Sequence, residues 1–202
     1  MNTIVACATG LDPSALAVIR LSGPEALDIA RALCGAQTLT KDRYFELVRI
    51  GDQVGTLDRC LAVPFFGPRS FTGEDIVEFH LHGGPGLVQA VINACLSLGA
   101  REAEPGEFTR RAYLAGKLDL VEAEAIAARA SAATERAARL AEAGVAGRLS
   151  SFARDLEIEL TRMRAHVEGW LDFSPEELDE SHLNPLLDAL TRASDRLQRA
   201  AD

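Results

Sequence analysis

The stretch FTGEDIVEFHLHGGP (71–85) decides the fold, because an alternating strand in it leads directly into a helix start. Alternate side chains of an extended chain point to opposite faces. The apolar ones share one face: Val77, Phe79 and Leu81. The polar ones share the other: Glu78, His80 and His82. The sequence therefore predicts a strand with one buried and one polar face, followed by a helix from the Gly83-Gly84-Pro85 turn through Leu96.

The residues before this stretch predict further strands and another helix. ALAVIRL (15–21) is apolar and β-branched, which is typical of a buried strand. In SGPEALDIARALCG (22–35), Pro24 suits the first helical position and Gly35 suits the position after the helix end. Two more segments are predicted as strands, namely YFELVRI (44–50) and CLAVPFF (60–66). Together these elements predict a small mixed sheet with helices packed on it.

The composition changes near Lys117, after which proline is absent for a long stretch and alanine dominates. This change predicts an α+β domain at residues 1–118 and an all-helical segment at residues 119–202. Asp119 and Glu122 have the spacing of a reciprocal helix cap at the start of that segment. Farther on, Gly144 and Gly147 predict either a break in the helix or close packing. Three leucines form a stripe that needs a partner surface: Leu187, Leu190 and Leu197.

Composition and charge narrow the classes of function. The formal net charge of −9 is uneven, at −2 for residues 1–118 and −7 for residues 119–202. We see no basic stripe of the kind that grips RNA, so a nucleic-acid role would be shared with a partner. No apolar run is long enough to cross a bilayer and the start is not a secretory signal, which indicates a cytoplasmic protein without membrane contact. The four cysteines show no CxxC spacing and indicate reduced thiols.

Glu78 is the strongest candidate for ligand recognition. A carboxylate on a rigid strand can accept two parallel hydrogen bonds from a ligand with several ring N–H groups, although the same pattern fits a solvated strand residue. Glu74 and Asp75 are the next carboxylates to consider. His80 and His82 share the face of Glu78, so a metal site is conceivable, but a half-exposed polar face explains the three residues more simply. We therefore expect no metal, and we expect both histidines to matter less than Glu78.

Basic residues near the candidate carboxylate suggest contacts to an anion. Arg20 lies in an apolar strand, where it either pairs with an acid such as Glu78 or faces a ligand. Arg110, Arg111 and Lys117 could bind a glutamate tail or a phosphate, or they could form an ordinary charged helix face. Gly116-Lys117 is not a P-loop, because Leu118 stands where Ser or Thr must bind magnesium, so we expect no GTP binding through this segment.

Four segments, in order and spacing, resemble the N-terminal and early helical portions of the MnmE (TrmE) family of tRNA-modifying GTPases: VIRLSGP, FTGEDIVEFHLHGGP, LGAREAEPGEFTRRAYLAGKLDLVEAEAI and LDFSPEE. The resemblance covers nearly the whole chain. It implies an α+β domain similar to the folate-binding fold of aminomethyltransferases, which forms a homodimer and binds a tetrahydrofolate derivative near the dimer interface. A helical domain follows, which in the family is interrupted by a Ras-like GTPase domain.

The resemblance also implies a function and a set of site residues. The family works with the flavoprotein MnmG (GidA) on the wobble uridine (U34) of tRNA, with folate as the one-carbon source, so tRNA would be met indirectly through that complex. At matching positions the contacts to a 5-formyltetrahydrofolate-like cofactor are Arg20, Glu78 and Lys117, with the Gly83-Gly84 turn nearby. No catalytic residue is assigned, and GTP, Mg²⁺ and K⁺ would act only through the GTPase domain.

Three departures from the family pattern keep other functions open. GLDPSALAV (10–18) replaces a glycine-rich loop of the family, and neither the GTPase motifs nor the C-terminal cysteine motif occurs. We therefore expect either a piece of a longer protein or a degenerate stand-alone copy. The alternatives are a stand-alone folate-dependent one-carbon transferase and a non-catalytic dimerisation scaffold that has lost folate binding.

Overall fold

A computed structural model describes residues 2–10, 12–145, 147–171 and 183–201. The part of the LDFSPEE motif after Leu171 lies outside these residues. The chain forms two compact units, residues 1–127 and 128–202. Each unit is described by itself below.

One six-stranded sheet forms the centre of the first unit, among the residues that the structure describes. The strands are β1 (Ile4–Cys7), β2 (Ser14–Ser22), β3 (Glu46–Gly51), β4 (Thr56–Phe65), β5 (Ile76–Gly83) and β6 (Arg101–Glu102). Their order across the sheet is β3-β4-β5-β2-β1-β6. All neighbours pair antiparallel except β1 and β6, which are parallel, so the sheet is mixed. The predicted α+β class with a mixed sheet is confirmed.

The core lies between the sheet and helices α1 (Ala26–Cys34) and α2 (Pro85–Ser97). Val77, Phe79 and Leu81 are fully buried there, as the alternation of β5 predicts. Val91 and Cys95 of α2 belong to the same apolar cluster. Burying each large apolar side chain stabilises the fold by about 2 kcal/mol, so this cluster fixes which face of β5 points inward.

The turn between β5 and α2 depends on two glycines with different tasks. A Cβ atom at Gly83 would collide with the side chain and the carbonyl of Ser14 on β2. At Gly84, a Cβ atom would only reach ordinary contact with Leu87, at 4.0 Å. Gly84 caps α2 with extended dihedral angles, and Pro85 takes the first helical position as predicted. The close backbone approach at this turn is therefore made by Gly83, to the neighbouring strand β2.

Helix α1 begins later than the sequence indicates, at Ala26 rather than Pro24. Gly23 has φ +142° and packs against Thr3, where an added Cβ atom would come within 2.6 Å of the Thr3 Cα. The amide of Glu25 then donates to Thr3 Oγ1 at 2.9 Å. Pro24 therefore belongs to a turn that is anchored to the N-terminal segment, and the prediction that it opens the helix is wrong. Gly35 ends α1 with φ +112°, as predicted.

Five more helices follow within the described residues: α3 (Glu107–Leu114), α4 (Leu120–Ala130), α5 (Glu135–Val145), α6 (Arg148–Leu171) and α7 (Leu183–Ala201). The cap before α4 is reciprocal, since the Asp119 amide donates to Glu122 Oε2 at 2.7 Å and the Glu122 amide donates to Asp119 Oδ1 at 2.9 Å. The predicted break occurs between α5 and α6, where Gly147 has φ +66°. A second interruption between α4 and α5 was not predicted.

Within the second unit, α7 packs on α6 through small and apolar side chains. The contacts join Leu156 and Met163 of α6 to three residues of α7: Leu186, Ala189 and Ala193. The predicted stripe of Leu187, Leu190 and Leu197 instead remains exposed. None of the helices in the described part of the chain is both long and apolar enough to span a membrane.

We predict that Gly83→Ala and Gly84→Ala differ sharply in stability. Gly83→Ala should lower the free energy of unfolding by about 2 kcal/mol, because the added methyl group must displace the backbone of β2. Gly84→Ala adds a methyl group in open space at an allowed backbone conformation, so its stability should stay within about 0.5 kcal/mol of the parent. Urea unfolding followed by circular dichroism measures both values, and equal losses would contradict the assigned packing.

Candidate functional site

Arg20 and Glu78 lie directly opposite each other on neighbouring strands, β2 and β5. Their neighbours Ile19 and Phe79, which also face each other, are buried in the core below α1 and α2. Because side chains alternate along a strand, Arg20 and Glu78 share the other face of the sheet. Val63 on β4 continues the row, as the cross-strand partner of Glu78 on its other side.

Arg20 and Glu78 form a close ion pair. The Arg20 Nε donates to Glu78 Oε1 at 2.7 Å, and a second guanidinium nitrogen lies 2.7 Å from the same oxygen. The Glu78 side chain is 14% exposed and that of Arg20 is 30% exposed. The Arg20 guanidinium also lies over the ring of Phe108, 5.6 Å from its centroid. Of the two interpretations that the sequence left for Arg20, pairing with Glu78 is the one observed.

The second oxygen of Glu78 is left for other contacts. His80 Nε2 lies 3.4 Å from it. That nitrogen is buried and has no hydrogen-bond partner in the structure. The His80 ring meets the edge of Phe45, with the two ring centroids 5.3 Å apart and the planes at 77°. A carboxylate oxygen and an unsatisfied ring nitrogen therefore lie 3.4 Å apart, with Phe45 against the His80 ring and Phe108 against the Arg20 guanidinium.

Lys117 reaches the loop that precedes β5. Gly116 has φ +68° and ends α3, and the Lys117 amide then donates to the carbonyl of Ala112 at 2.9 Å. This turn places the Lys117 side chain beside Gly73, where an added Cβ atom would lie 3.6 Å from Lys117 Cε. Lys117 is exposed and forms no ion pair within the described residues. A free cation therefore lies beside the loop that leads to Glu78.

The Gly83-Gly84 turn does not lie near the Arg20–Glu78 ion pair. It follows the far end of β5, five residues beyond Glu78. At about 3.3 Å for each residue of a strand, that separation is roughly 16 Å. Of the five residues predicted for the cofactor site, Arg20 and Glu78 are in direct contact, Lys117 lies beside the preceding loop, and the two glycines lie apart.

Glu107 is the centre of a second, buried group of charges. It is 2% exposed and accepts hydrogen bonds from Arg101 at 2.8 Å, from Arg111 at 3.0 Å and from the Glu104 amide at 2.9 Å. The hydrogen bond from the Arg101 side chain is the largest influence on the Glu107 carboxyl, and with its other partners it lowers the pKa of Glu107 from 4.5 to about 2. A buried carboxylate held by two guanidinium groups is a structural element.

Arg111 extends this charge group to the loop before β5. Its NH1 donates to Glu74 Oε2 at 2.8 Å, and its NH2 donates to the Asn2 carbonyl at 2.8 Å. Glu74 Oε2 also accepts from Ser22 Oγ on β2 at 2.9 Å. Arg111 is 4% exposed and fully engaged, so its predicted alternative role as an anion contact is wrong. The network instead fastens α3 and the 71–75 loop to the strand that carries Arg20.

The two remaining charged candidates, Arg110 and His82, contact other residues and not Glu78. Arg110 forms a surface pair with Glu104 at 3.2 Å. His82 is exposed, and its Nδ1 lies 2.9 Å from Asp58 Oδ1 rather than near Glu78. Among the residues that the structure describes, no three His, Cys, Asp or Glu side chains come together in a way that could hold a metal ion.

Sequence reasoning missed the aromatic and buried parts of the site. Phe45 precedes β3 and Phe108 lies on α3, so neither has a local pattern that connects it with β5. The burial of Glu107 was also missed, because an acid in the first turn of a helix is usually exposed there. These contacts join residues far apart in the chain, which periodicity alone does not reveal.

Comparisons with family models and with individual known proteins point to the same family. Residues 3–117 match the family described as "GTP-binding protein TrmE N-terminus", and residues 120–202 match the family described as "MnmE helical domain". A protein of Bartonella henselae named "tRNA modification GTPase MnmE" is 47% identical over 87% of this chain and 40% of its own length. A protein of the same name from Pseudomonas aeruginosa is 40% identical over 99% of this chain and 44% of its own length. The chain thus spans about two fifths of the length of these relatives.

We predict that Glu107→Gln lowers the free energy of unfolding by about 3 kcal/mol at pH 7, because it leaves buried guanidinium groups without their carboxylate. The folded-state pKa lies below the ordinary value, so this stabilisation is present above pH 4.5 and is lost as the pH falls towards about 2. The gap between parent and variant should narrow over that interval in urea titrations.

The matched control for this prediction is Glu104→Gln. Glu104 belongs to an exposed pair with Arg110, and such surface pairs contribute about 0.5 kcal/mol or less. If the two variants lose the same stability, or if the Glu107→Gln gap does not change between pH 5 and pH 2, Glu107 is not the charged centre of the network.

Proposed function

The chain belongs to the MnmE family of tRNA modification GTPases, and we propose that it binds a tetrahydrofolate derivative through Glu78. The observation that carries this proposal is the geometry of one carboxylate. Glu78 lies on a central strand and is held at Oε1 by Arg20, and its Oε2 accepts no hydrogen bond from the part of the chain that the structure describes. A pterin ring offers adjacent ring and amino N–H groups that such an oxygen accepts.

Arg20 has two physical effects on this carboxylate. Its guanidinium group holds the carboxylate at Oε1 through a charge-assisted hydrogen bond of 2.7 Å. Its two contacts at Oε1 also fix the orientation of the carboxylate, so less entropy is lost when a ligand binds at Oε2. A bidentate contact from the ligand to both oxygens would need Arg20 to give up one of its bonds.

Lys117 suits the anionic end of the cofactor. Its side chain lies beside Gly73, in the loop between β4 and β5, and pairs with no acid among the described residues. The p-aminobenzoyl-glutamate end of folate bears carboxylates that an exposed ammonium group attracts. In this arrangement Glu78 recognises the ring and Lys117 attracts the tail.

The role of the whole protein is part of the same proposal. The relatives are named tRNA modification GTPases, and this chain matches the family's N-terminal and helical portions. We infer a cytoplasmic protein that supplies a folate one-carbon unit for wobble-uridine modification, together with the flavoprotein MnmG. GTP, Mg²⁺ and K⁺ would act through a GTPase domain, and tRNA would be met through the complex, in keeping with the net charge of −9.

We also propose that a second copy of this chain covers the sheet face around Leu61. Leu47 and Leu61 are cross-strand neighbours and are 57% and 44% exposed. His80 is the cross-strand partner of Leu61 on the other side, so this patch adjoins the Glu78 site. A homodimer built on this face would bury the leucines beside the cofactor, which fits a folate site near a dimer interface.

We predict that the parent chain binds 5-formyltetrahydrofolate and that Glu78→Gln weakens binding at least thirtyfold, about 2 kcal/mol, because the amide loses the charge-assisted contact. Arg20→Ala should weaken binding about tenfold by releasing the carboxylate. Isothermal titration calorimetry measures both effects. The control is Glu102→Gln, which changes an exposed glutamate on the edge strand β6 and should leave the affinity unchanged. Equal affinity of the parent and Glu78→Gln would contradict the carboxylate assignment.

We predict that the chain is a dimer at micromolar concentration and that Leu61→Glu weakens the dimer about thirtyfold or more, by placing a charge in an apolar contact. Leu98→Glu is the control, since Leu98 is 43% exposed but lies at the end of α2, on the helical side of the sheet. Sedimentation equilibrium measures both dissociation constants. A dimer that survives Leu61→Glu but is lost in Leu98→Glu would place the interface on the other face.

A further inference from the structure

His80 carries the one buried side-chain nitrogen without a hydrogen bond that the structure describes. Its Nε2 lies 3.4 Å from Glu78 Oε2 without forming a hydrogen bond to it. A buried polar atom left unpaired costs about 1–3 kcal/mol, so this nitrogen calls for a further partner. The Arg20–Glu78 pair makes no use of this nitrogen.

The surroundings of His80 hold its ring in place. His80 and Glu78 are two residues apart on β5, so they share a face of the sheet. The edge of Phe45 meets the His80 ring on one side, and Val18 and Leu61 are its cross-strand neighbours. These contacts are apolar, and none of them satisfies Nε2. The ring is fixed, and its unsatisfied nitrogen lies next to the free oxygen of Glu78.

We propose that His80 is a specificity-determining residue that donates a hydrogen bond from Nε2 to the 4-oxo oxygen of a bound pterin. This proposal rests on the folate function proposed above. The 2-amino-4-oxo edge of a pterin presents N–H donors next to a carbonyl acceptor. Glu78 Oε2 accepts from an N–H group, and His80 Nε2, in the tautomer that carries its proton there, donates to the adjacent carbonyl.

This pair of side chains recognises the order of hydrogen-bond donors and acceptors along the edge of the ring. An acceptor and a donor 3.4 Å apart complement a donor and an acceptor on neighbouring ring atoms. A 2,4-diamino ring puts an amino group where the carbonyl oxygen was, so the His80 Nε2–H faces another N–H group. In its neutral form that ring also lacks the proton on the adjacent ring nitrogen, so Glu78 loses a donor as well. The site therefore prefers 4-oxo folates to 4-amino analogues, and His80 contributes to the distinction.

The test uses calorimetry on the full chain with three probes: 5-formyltetrahydrofolate, folic acid and aminopterin, the last two differing in the 4-oxo or 4-amino group. His80→Phe keeps a flat ring against Phe45 but removes both nitrogens. It should bind 5-formyltetrahydrofolate about tenfold more weakly, and its preference for folic acid over aminopterin should fall about tenfold. His80→Gln, which restores a donor, should recover most of both quantities.

His82→Phe is the matched control, because His82 lies on the same face of β5 but turns to Asp58, and it should leave both quantities unchanged. Thermal melting by circular dichroism checks that each variant is folded. If the parent binds folate and His80→Phe binds it equally well, or loses both ligands in equal proportion, the His80 assignment is overturned while the folate proposal stands. If the parent binds none of the probes, the folate proposal fails and the His80 assignment falls with it.

Discussion

The alternation of side chains along β5 is the constraint on which the rest of the structure depends. β5 lies between β2 and β4, so its inward residues Val77, Phe79 and Leu81 cannot leave the core without losing several kcal/mol of apolar burial. Because side chains alternate along the strand, Glu78 and His80 then lie on the opposite face. The antiparallel register with β2 places Arg20 beside Glu78. The geometry of the candidate site is therefore a consequence of core packing, which explains how a charged pair is held rigidly on an otherwise ordinary sheet.

The charged residues divide into a structural group and a site group. Arg111 and Glu107 are almost fully buried and saturate each other with Arg101 and Glu74, so they hold α3 and the 71–75 loop without facing a ligand. Arg20 and Glu78 are more exposed and satisfy each other at one oxygen only. Lys117 leaves α3 just after the buried network and carries no ion pair within the described residues. Helix α3 thus anchors the loop through Arg111, and the turn after α3 places the Lys117 side chain beside the same loop.

Much of this arrangement could be predicted from the sequence, and the failures share a cause. Strand β5, the helix start at Pro85 and the Asp119–Glu122 cap follow from local periodicity and capping chemistry, which neighbouring residues determine. The start of α1 was misplaced because Gly23 packs against Thr3, a contact between separate segments. The roles of Arg111 and Gly83 depend in the same way on Glu107, Glu74 and Ser14. Family resemblance singled out Arg20, Glu78 and Lys117, but the unsatisfied nitrogen of His80 is visible only when the side chains are placed in space.

In the arrangement that we propose, Glu78 Oε2 and its neighbour His80 recognise the edge of a pterin ring. A crystal structure of the chain with 5-formyltetrahydrofolate would show the ring and its hydrogen-bond partners at the same time. We expect the 2-amino-4-oxo edge against Glu78 Oε2 and His80 Nε2, with Arg20 still on Oε1 and the glutamate tail towards Lys117. A folate bound at the Gly83-Gly84 turn, or with its ring edge turned away from Glu78, would contradict the account.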